Sequence, residues 1–197
     1  MTLVLASRST ARRQMLAAAG VNVDLDPADL DEAAFRGRLM SEGADAAAVA
    51  QALAGEKAIL VSRRRPGDLV IGADQTLEHD GTLYGKAANL DEARARLKLF
   101  SGQAHRLHSG VALACEGQLV WTARDTAELV VRPLSDAFIA AYLSRNREAA
   151  LGAVGGYWLE GEGAQLFERV RGDYFTVLGL PLLPLLAELR ARGVMTP

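Results

Sequence analysis

The sequence predicts an α/β fold with a mixed sheet, and three observations predict it. Strand-like apolar runs alternate with longer helical runs from one end of the chain to the other. Two pairs of strand-like runs are joined by tight turns, at Asp80-Gly81 and Glu116-Gly117, which marks antiparallel neighbours. No repeat, low-complexity segment or flexible linker interrupts the alternation. The 197 residues suit a single domain over 1–197, built as one body or as two lobes sharing a core.

The elements follow in order. "TLVLA" is a strand, and residues 10–19 form a helix that stops at Gly20. "VNVDLDP" is a second strand that ends among acidic residues. Residues 45–64 form a long helix, with Asp45 near its start and basic residues at its end, as the helix dipole favours. "DLVIGAD" is a buried strand. "TLEHDGTLYG" is a hairpin, and "LDEARARLKLF" is a helix that stops at Ser101-Gly102. "HRLHSGVALAC" and "QLVWTARDTAELVVRPL" are antiparallel strands. Ser135 caps the helix "SDAFIAAYLSRN". A Gly-rich loop covers 152–163, "FTVLGL" is the last strand, and Pro181 opens a C-terminal helix closed by Gly193.

Composition narrows the function. Half the residues are hydrophobic, enough for a sizeable core. A net charge of −2 gives no global attraction to nucleic acid, so an anion site has to be a local cluster. One cysteine, Cys115, excludes an intrachain disulfide and a multi-Cys zinc site, and its place in "GVALAC" is that of a core or strand residue. His79, His105 and His108 lack metal spacing and read as structural or surface residues. "MTLVLASRS" is too short for a signal-peptide core and lacks a basic lead-in. The longest apolar stretch is broken by Pro181 and Pro184 and is too short to span a bilayer. The expectation is a soluble cytoplasmic protein with no membrane and no nucleic-acid partner.

Several polar residues stand at chemically suggestive places. Asp74 follows Gly72-Ala73 at the carboxyl end of a strand, where open α/β sheets place ligands. It serves either as a turn residue or as an acid that holds a metal or orients a water. Lys86, after Gly85, reads as a phosphate partner or as ordinary surface. Lys57 lies beside Leu53, Ala54 and Ala58 on a helix, and either snorkels to solvent or points into a cleft. Asp31-Glu32 are a solvated loop or a carboxylate pair for a divalent cation. "GAVGGYWLEGEGAQ" interleaves five glycines with Glu160 and Glu162, and is either a surface loop or a backbone cradle for a ligand.

The first helix is the oddest. Its start carries Arg12 and Arg13, with Arg8 nearby, where the dipole disfavours cations by roughly a few tenths of a kcal/mol. A polyphosphate docked at that helix end reverses the local field. The helix amides, Ser7, Arg8 and one of Arg12 and Arg13 would then act together. Residues i and i+1 point about 100° apart on a helix, so one of the two adjacent arginines faces elsewhere.

Taken together, these segments resemble the Maf family of nucleoside triphosphate pyrophosphatases over essentially the full length. The motifs are "LASRSTARRQML", Asp31-Glu32, Lys57-Ala58, "GADQT" at 72–76 and "YGKA" at 84–87. "ARARLKLFSGQAHRLHSGVAL", "GGYWLEGEGA" at 155–164 and "GDYFTVLGLPL" at 172–182 complete them. The resemblance implies a mixed, elongated sheet flanked by helices, with two lobes around a deep cleft, often in a dimer. It implies hydrolysis of a nucleoside triphosphate to the monophosphate and pyrophosphate with a divalent metal, Mg²⁺ or Mn²⁺. Asp74 matches the proton acceptor. Ser7, Arg12, Arg13, Glu32, Lys57 and Lys86 match the rest of the polar site, with Glu32 and Asp74 on the metal and the basic residues on phosphates.

Three positions separate the branches of that family. Arg, Thr and Gln accompany dTTP and UTP, whereas Trp, Gln and Glu accompany 7-methyl-GTP. This chain has Ala11, Gln75 and Glu160, and "STA" replaces "SPR" or "SPW". Two of the three lean to a 7-methyl-GTP-like substrate, while Ala11 offers no ring to stack on a base. The other implied reading is a nucleotide-binding regulator of cell division and septum formation with little catalysis.

Overall fold

The computed structural model describes residues 2–196. Seven strands and eight α-helices are found among them. The strands are β1 Leu3–Leu5, β2 Asp24–Leu25, β3 Leu69–His79, β4 Thr82–Tyr84, β5 Ala104–Cys115, β6 Gln118–Val131 and β7 Phe167–Arg171. They form one mixed sheet in the order β2-β1-β3-β5-β6-β7, with β4 paired to β3. β1 runs parallel to β2 and β3, while β3/β4 and β6/β7 are antiparallel. The helices are α1 Thr10–Ala18, α2 Glu32–Ser41, α3 Ala46–Arg64, α4 Leu90–Phe100, α5 Asp136–Arg145, α6 Arg147–Gly152, α7 Tyr174–Val177 and α8 Leu182–Ala191.

The chain divides into two compact units. The first comprises the residues up to Gln75, His108–Asp125 and the residues from Asp173 onward; the second comprises Thr76–Leu107 and Thr126–Gly172. In the first unit the pleat of the sheet sorts its apolar residues into two layers. Leu3, Leu5, Leu69, Ile71 and Ala73 pack with Leu16 and with Leu185 and Leu189 of α8. Val4, Ala6 and Val70 pack with Ala54, Ala58 and Val61 of α3. In the second unit, Phe100, His105, Tyr157 and Phe167 form an aromatic cluster, and α4 packs on α5 and α6.

Two glycines set how closely α3 lies on the sheet. A Cβ on Gly72 would meet the Ala54 carbonyl oxygen at 2.0 Å, and one on Gly110 would meet that of Ala50 at 2.6 Å. Both turns expected as hairpins are present. Asp80 (φ 48°) with Gly81 (φ 71°), and Glu116 (φ 51°) with Gly117 (φ 77°), take the left-handed conformation that two-residue loops need. Caps also form as expected: Asp45 accepts from the Ala48 amide, and Ser135 from that of Phe138.

Three expectations are corrected. "FTVLGL" is not a strand. Tyr174–Val177 is a single helical turn, because the Asp173 side chain accepts from the Thr176 amide at 3.1 Å and caps it. The last strand is β7, whose mostly exposed "FERVR" carries too little apolar alternation to stand out. The second strand is only two residues long; Pro27 follows two residues later without a backbone N–H to extend the ladder. The acidic segment at 31–32 starts a helix, α2, which buries none of its residues fully and so leaves no apolar stripe to read. No helix among the described residues is long and apolar enough to cross a membrane.

Candidate functional site

Two carboxylates of the first unit converge on one ammonium group. Close packing at Gly72 brings α3 against β3 and so places Lys57 next to the middle of that strand. Asp74, expected at a strand's carboxyl end, lies mid-strand because β3 continues unbroken into the hairpin as far as His79. Side chains alternate along a strand, so Asp74 shares the α3-facing side with Gly72. Lys57 Nζ donates to Asp74 Oδ1 at 2.6 Å, and both side chains are 8% exposed. The same Nζ lies 2.8 Å from Glu32 Oε1. The Asp31-Glu32 pair thereby divides its work. Asp31 caps α2 by accepting from the Ala34 amide, and Glu32, in the first turn, reaches Lys57.

Arg12 enters from the start of α1. Ser9 caps that helix by accepting from the Arg12 amide. The guanidinium is buried: its Nε donates to the Gly179 carbonyl at 2.8 Å, and its Nη1 donates to the Ala73 carbonyl at 2.8 Å and to Ser7 Oγ at 3.2 Å. Burial pushes Arg12 below its ordinary pKa, and the carboxylates of Asp74 and Glu32 act against that shift. Burial raises the Glu32 carboxyl, but the Lys57 hydrogen bond and the charges of Lys57, Arg12 and Arg36 outweigh it and hold the group below its ordinary value. Arg13 and Arg8 are exposed, so the inward-facing member of the adjacent pair is Arg12.

Gln75 follows Asp74 and points to the opposite face of β3. Its Nε2 lies 3.1 Å from Ser109 Oγ and 3.0 Å from each of the Thr176 and Val177 carbonyl oxygens. Ser109 Oγ donates to the same Thr176 carbonyl at 2.8 Å, and Thr176 Oγ1 donates to Asp125 Oδ2 at 2.8 Å. Ser109, Thr176 and Gly179 were not singled out by sequence reasoning. The signal for Thr176 and Gly179 is "GDYFTVLGLPL", where a strand reading hid the capped turn; Ser109 lies within "HRLHSGVAL". Ala11 is half-buried on α1.

Lys86 and Glu160 belong to the second unit, and both are exposed. Gly85, before Lys86, gives its carbonyl to Arg96, and Arg96 also holds the Val154 carbonyl ahead of the Gly-rich segment. Glu162 is taken by Arg145 and Asn146, each at 3.0 Å. His105 is buried against Phe100, with Nε2 2.6 Å from the Tyr157 hydroxyl, and Cys115 lies part-buried on β5. The structural readings of these two residues stand.

Glu32 and Asp74 would be the residues to hold a divalent cation of the Mg²⁺ or Mn²⁺ type, and Lys57 Nζ engages both of them. No group of three His, Cys, Asp or Glu side chains forms a metal cage among the described residues. Glu32 and Asp74 instead offer two hard carboxylates on one ammonium, the number Mg²⁺ takes when phosphate and water oxygens complete its shell.

A buried arginine at the start of α1, and an acid in the middle of β3 paired to a lysine of α3, make the charged cluster of this mixed α/β protein. The chain belongs to the Maf-like protein family, whose model matches residues 2–192. It is 49% identical over 194 residues to a nucleoside triphosphate pyrophosphatase of Caulobacter vibrioides, covering 98% of this chain and 97% of that one. It is 47% identical over 196 residues to a protein of the same name from Granulibacter bethesdensis, covering all of both chains. A 7-methyl-GTP pyrophosphatase of Brucella suis is 47% identical over 188 residues, covering 95% of this chain and 94% of that one.

Proposed function

We propose that this protein hydrolyses a nucleoside triphosphate to the monophosphate and pyrophosphate. The observation that carries the reading is the Glu32–Lys57–Asp74 cluster, with Arg12 bonded to the carbonyl of the residue before Asp74. Asp74 accepts a proton from a water that attacks the α-phosphorus. The new bond joins water oxygen to phosphorus, and the bond to the β-phosphate's bridging oxygen breaks. Lys57 holds Asp74 in one rotamer at 2.6 Å and brings positive charge beside the reacting phosphate. Arg12 and the free amides at the start of α1 receive phosphate oxygens, and Ser7 orients Arg12. Arg13 supplies further charge to the polyphosphate tail. A divalent cation held by Glu32 and Asp74 would neutralise charge on the triphosphate.

The substrate lean is toward a 7-methyl-GTP-like nucleotide over dTTP or UTP. Gln75 and Glu160 match that branch, and relatives at about 47% identity carry that name. The test is a panel of dTTP, UTP, CTP, GTP and 7-methyl-GTP with Mg²⁺, products identified by mass spectrometry. Pyrophosphate and monophosphate are expected, with 7-methyl-GTP first in kcat/KM. Orthophosphate as the product rejects the reaction. Another nucleotide in first place rejects the substrate lean alone.

A further inference from the structure

Gln75 occupies a position where the family's branches differ, yet its amide is already spent within the first unit. Its Nε2 faces three acceptors: Ser109 Oγ and the carbonyls of Thr176 and Val177. The last two belong to α7, a four-residue turn. Two residues past that turn stands Gly179, whose φ of +98° favours glycine and whose carbonyl takes Arg12 Nε. The space where Gly179 would carry a Cβ lies 3.5 Å from Arg12 Nη2 and 3.6 Å from Gln75 Oε1, so both side chains close on the same few atoms of backbone. Ser109 and Thr176 brace the turn from below, through the Thr176 carbonyl and Asp125.

We infer that Gln75 is a positioning residue for Arg12: it pins the Thr176–Gly179 turn to β3, and the pinned turn aims the guanidinium at phosphate. The inference rests on the phosphate role given to Arg12 above. It removes Gln75 from direct reading of the base. A side chain in contact with a base tells one nucleotide from another. A side chain that aims an arginine at phosphate changes the affinity for all of them alike. Thr, which the other branch carries here, is too short to span to both carbonyls, so the branches would differ in the tightness of this turn.

Inorganic pyrophosphate separates the two roles because it carries no base. Calorimetry with pyrophosphate and excess Mg²⁺ is run on the wild type, Gln75→Met, Gln75→Glu, Arg12→Gln and the double variant Arg12→Gln/Gln75→Met. Circular dichroism verifies each fold. The near-isosteric Gln75→Glu keeps the experiment readable if Gln75→Met does not fold. Either Gln75 variant is expected to weaken pyrophosphate about tenfold, the factor for losing one well-aligned charged hydrogen bond. The order of preference among nucleotides is expected to stay unchanged, and Gln75→Met is expected to cost nothing further once Arg12 is gone. Unchanged pyrophosphate affinity with a reordered nucleotide panel overturns the inference. So do additive losses in the double variant, and so does a wild type that fails to bind pyrophosphate. Failure of the pyrophosphatase reading shows separately, as a wild type that binds pyrophosphate yet releases none from any nucleotide.

Discussion

At the scale of the residue, burial decides which titratable groups matter. Lys57 and Asp74 are buried together, and each is the other's partner. A buried charge without a partner costs far more than an exposed one, which ties the two to each other across the fold. His105 shows the opposite case. Burial in the aromatic cluster pushes its imidazole down to about 4, and the charge of His79 adds to the shift. The folded value lies below the ordinary 6.5, so the unfolded chain takes up the proton first as pH falls. Stability is therefore full above about pH 6.5 and declines toward pH 4, by about 3 kcal/mol in all. Urea unfolding at pH 7 and pH 4.5 measures it. His105→Phe leaves the Tyr157 hydroxyl without this partner and lowers the overall level, but its loss between the two pH values is expected to be smaller by about 2 kcal/mol. Equal losses in both proteins contradict the assignment.

At the scale of the element, the site exists because Gly72 has no side chain to hold α3 away from β3 at that point. Gly72 and Asp74 face α3 from the same side of β3, and the Gly72 contact sets the distance over which Lys57 reaches Asp74. Gly72→Ala would drive a methyl into the Ala54 carbonyl, so α3 must move outward. The expected cost is about 3 kcal/mol or more in chemical denaturation, with loss of turnover as Lys57 withdraws. Gly37→Ala is the contrast: it lies within α2 with open space around it, and is expected to stabilise by up to about 1 kcal/mol. Similar effects from both substitutions contradict this account of Gly72. The sequence revealed most of these elements because their boundaries carry local chemistry: Asp45, Ser135, Asp80-Gly81 and Glu116-Gly117 all act as their residue types suggest. α2, β7 and α7 were hidden for one shared reason. Their existence depends on a cap or a paired neighbour rather than on an apolar period of their own.

At the scale of the whole molecule, the chain returns to β3 again and again. β1, β4 and β5 all neighbour it, and its middle carries Asp74 and Gln75 on opposite faces. The sequence marks Arg12 through its misfit with the helix dipole, and Asp74 through the small residues before it, although the strand expected to end there runs on to His79. It does not reveal that Lys57 joins Glu32 to Asp74, because that contact spans 17 residues on one side and two helices on the other. Nor does it reveal that Gln75 turns away from Asp74 to hold α7, which required α7 to be seen as a turn. Family membership, by contrast, was legible in full: the motifs run in order from the first strand to the last helix, and the family model matches 2–192.

The pyrophosphatase reaction stands or falls with one carboxylate. The most direct measurement is pyrophosphate release by the wild type and by Asp74→Asn, each with a nucleoside triphosphate and Mg²⁺, after circular dichroism has shown that both are folded. The expected result is rapid release by the wild type and a rate at least about 100-fold lower in the variant, the scale for losing a general base. A folded Asp74→Asn that releases pyrophosphate as fast as the wild type contradicts it.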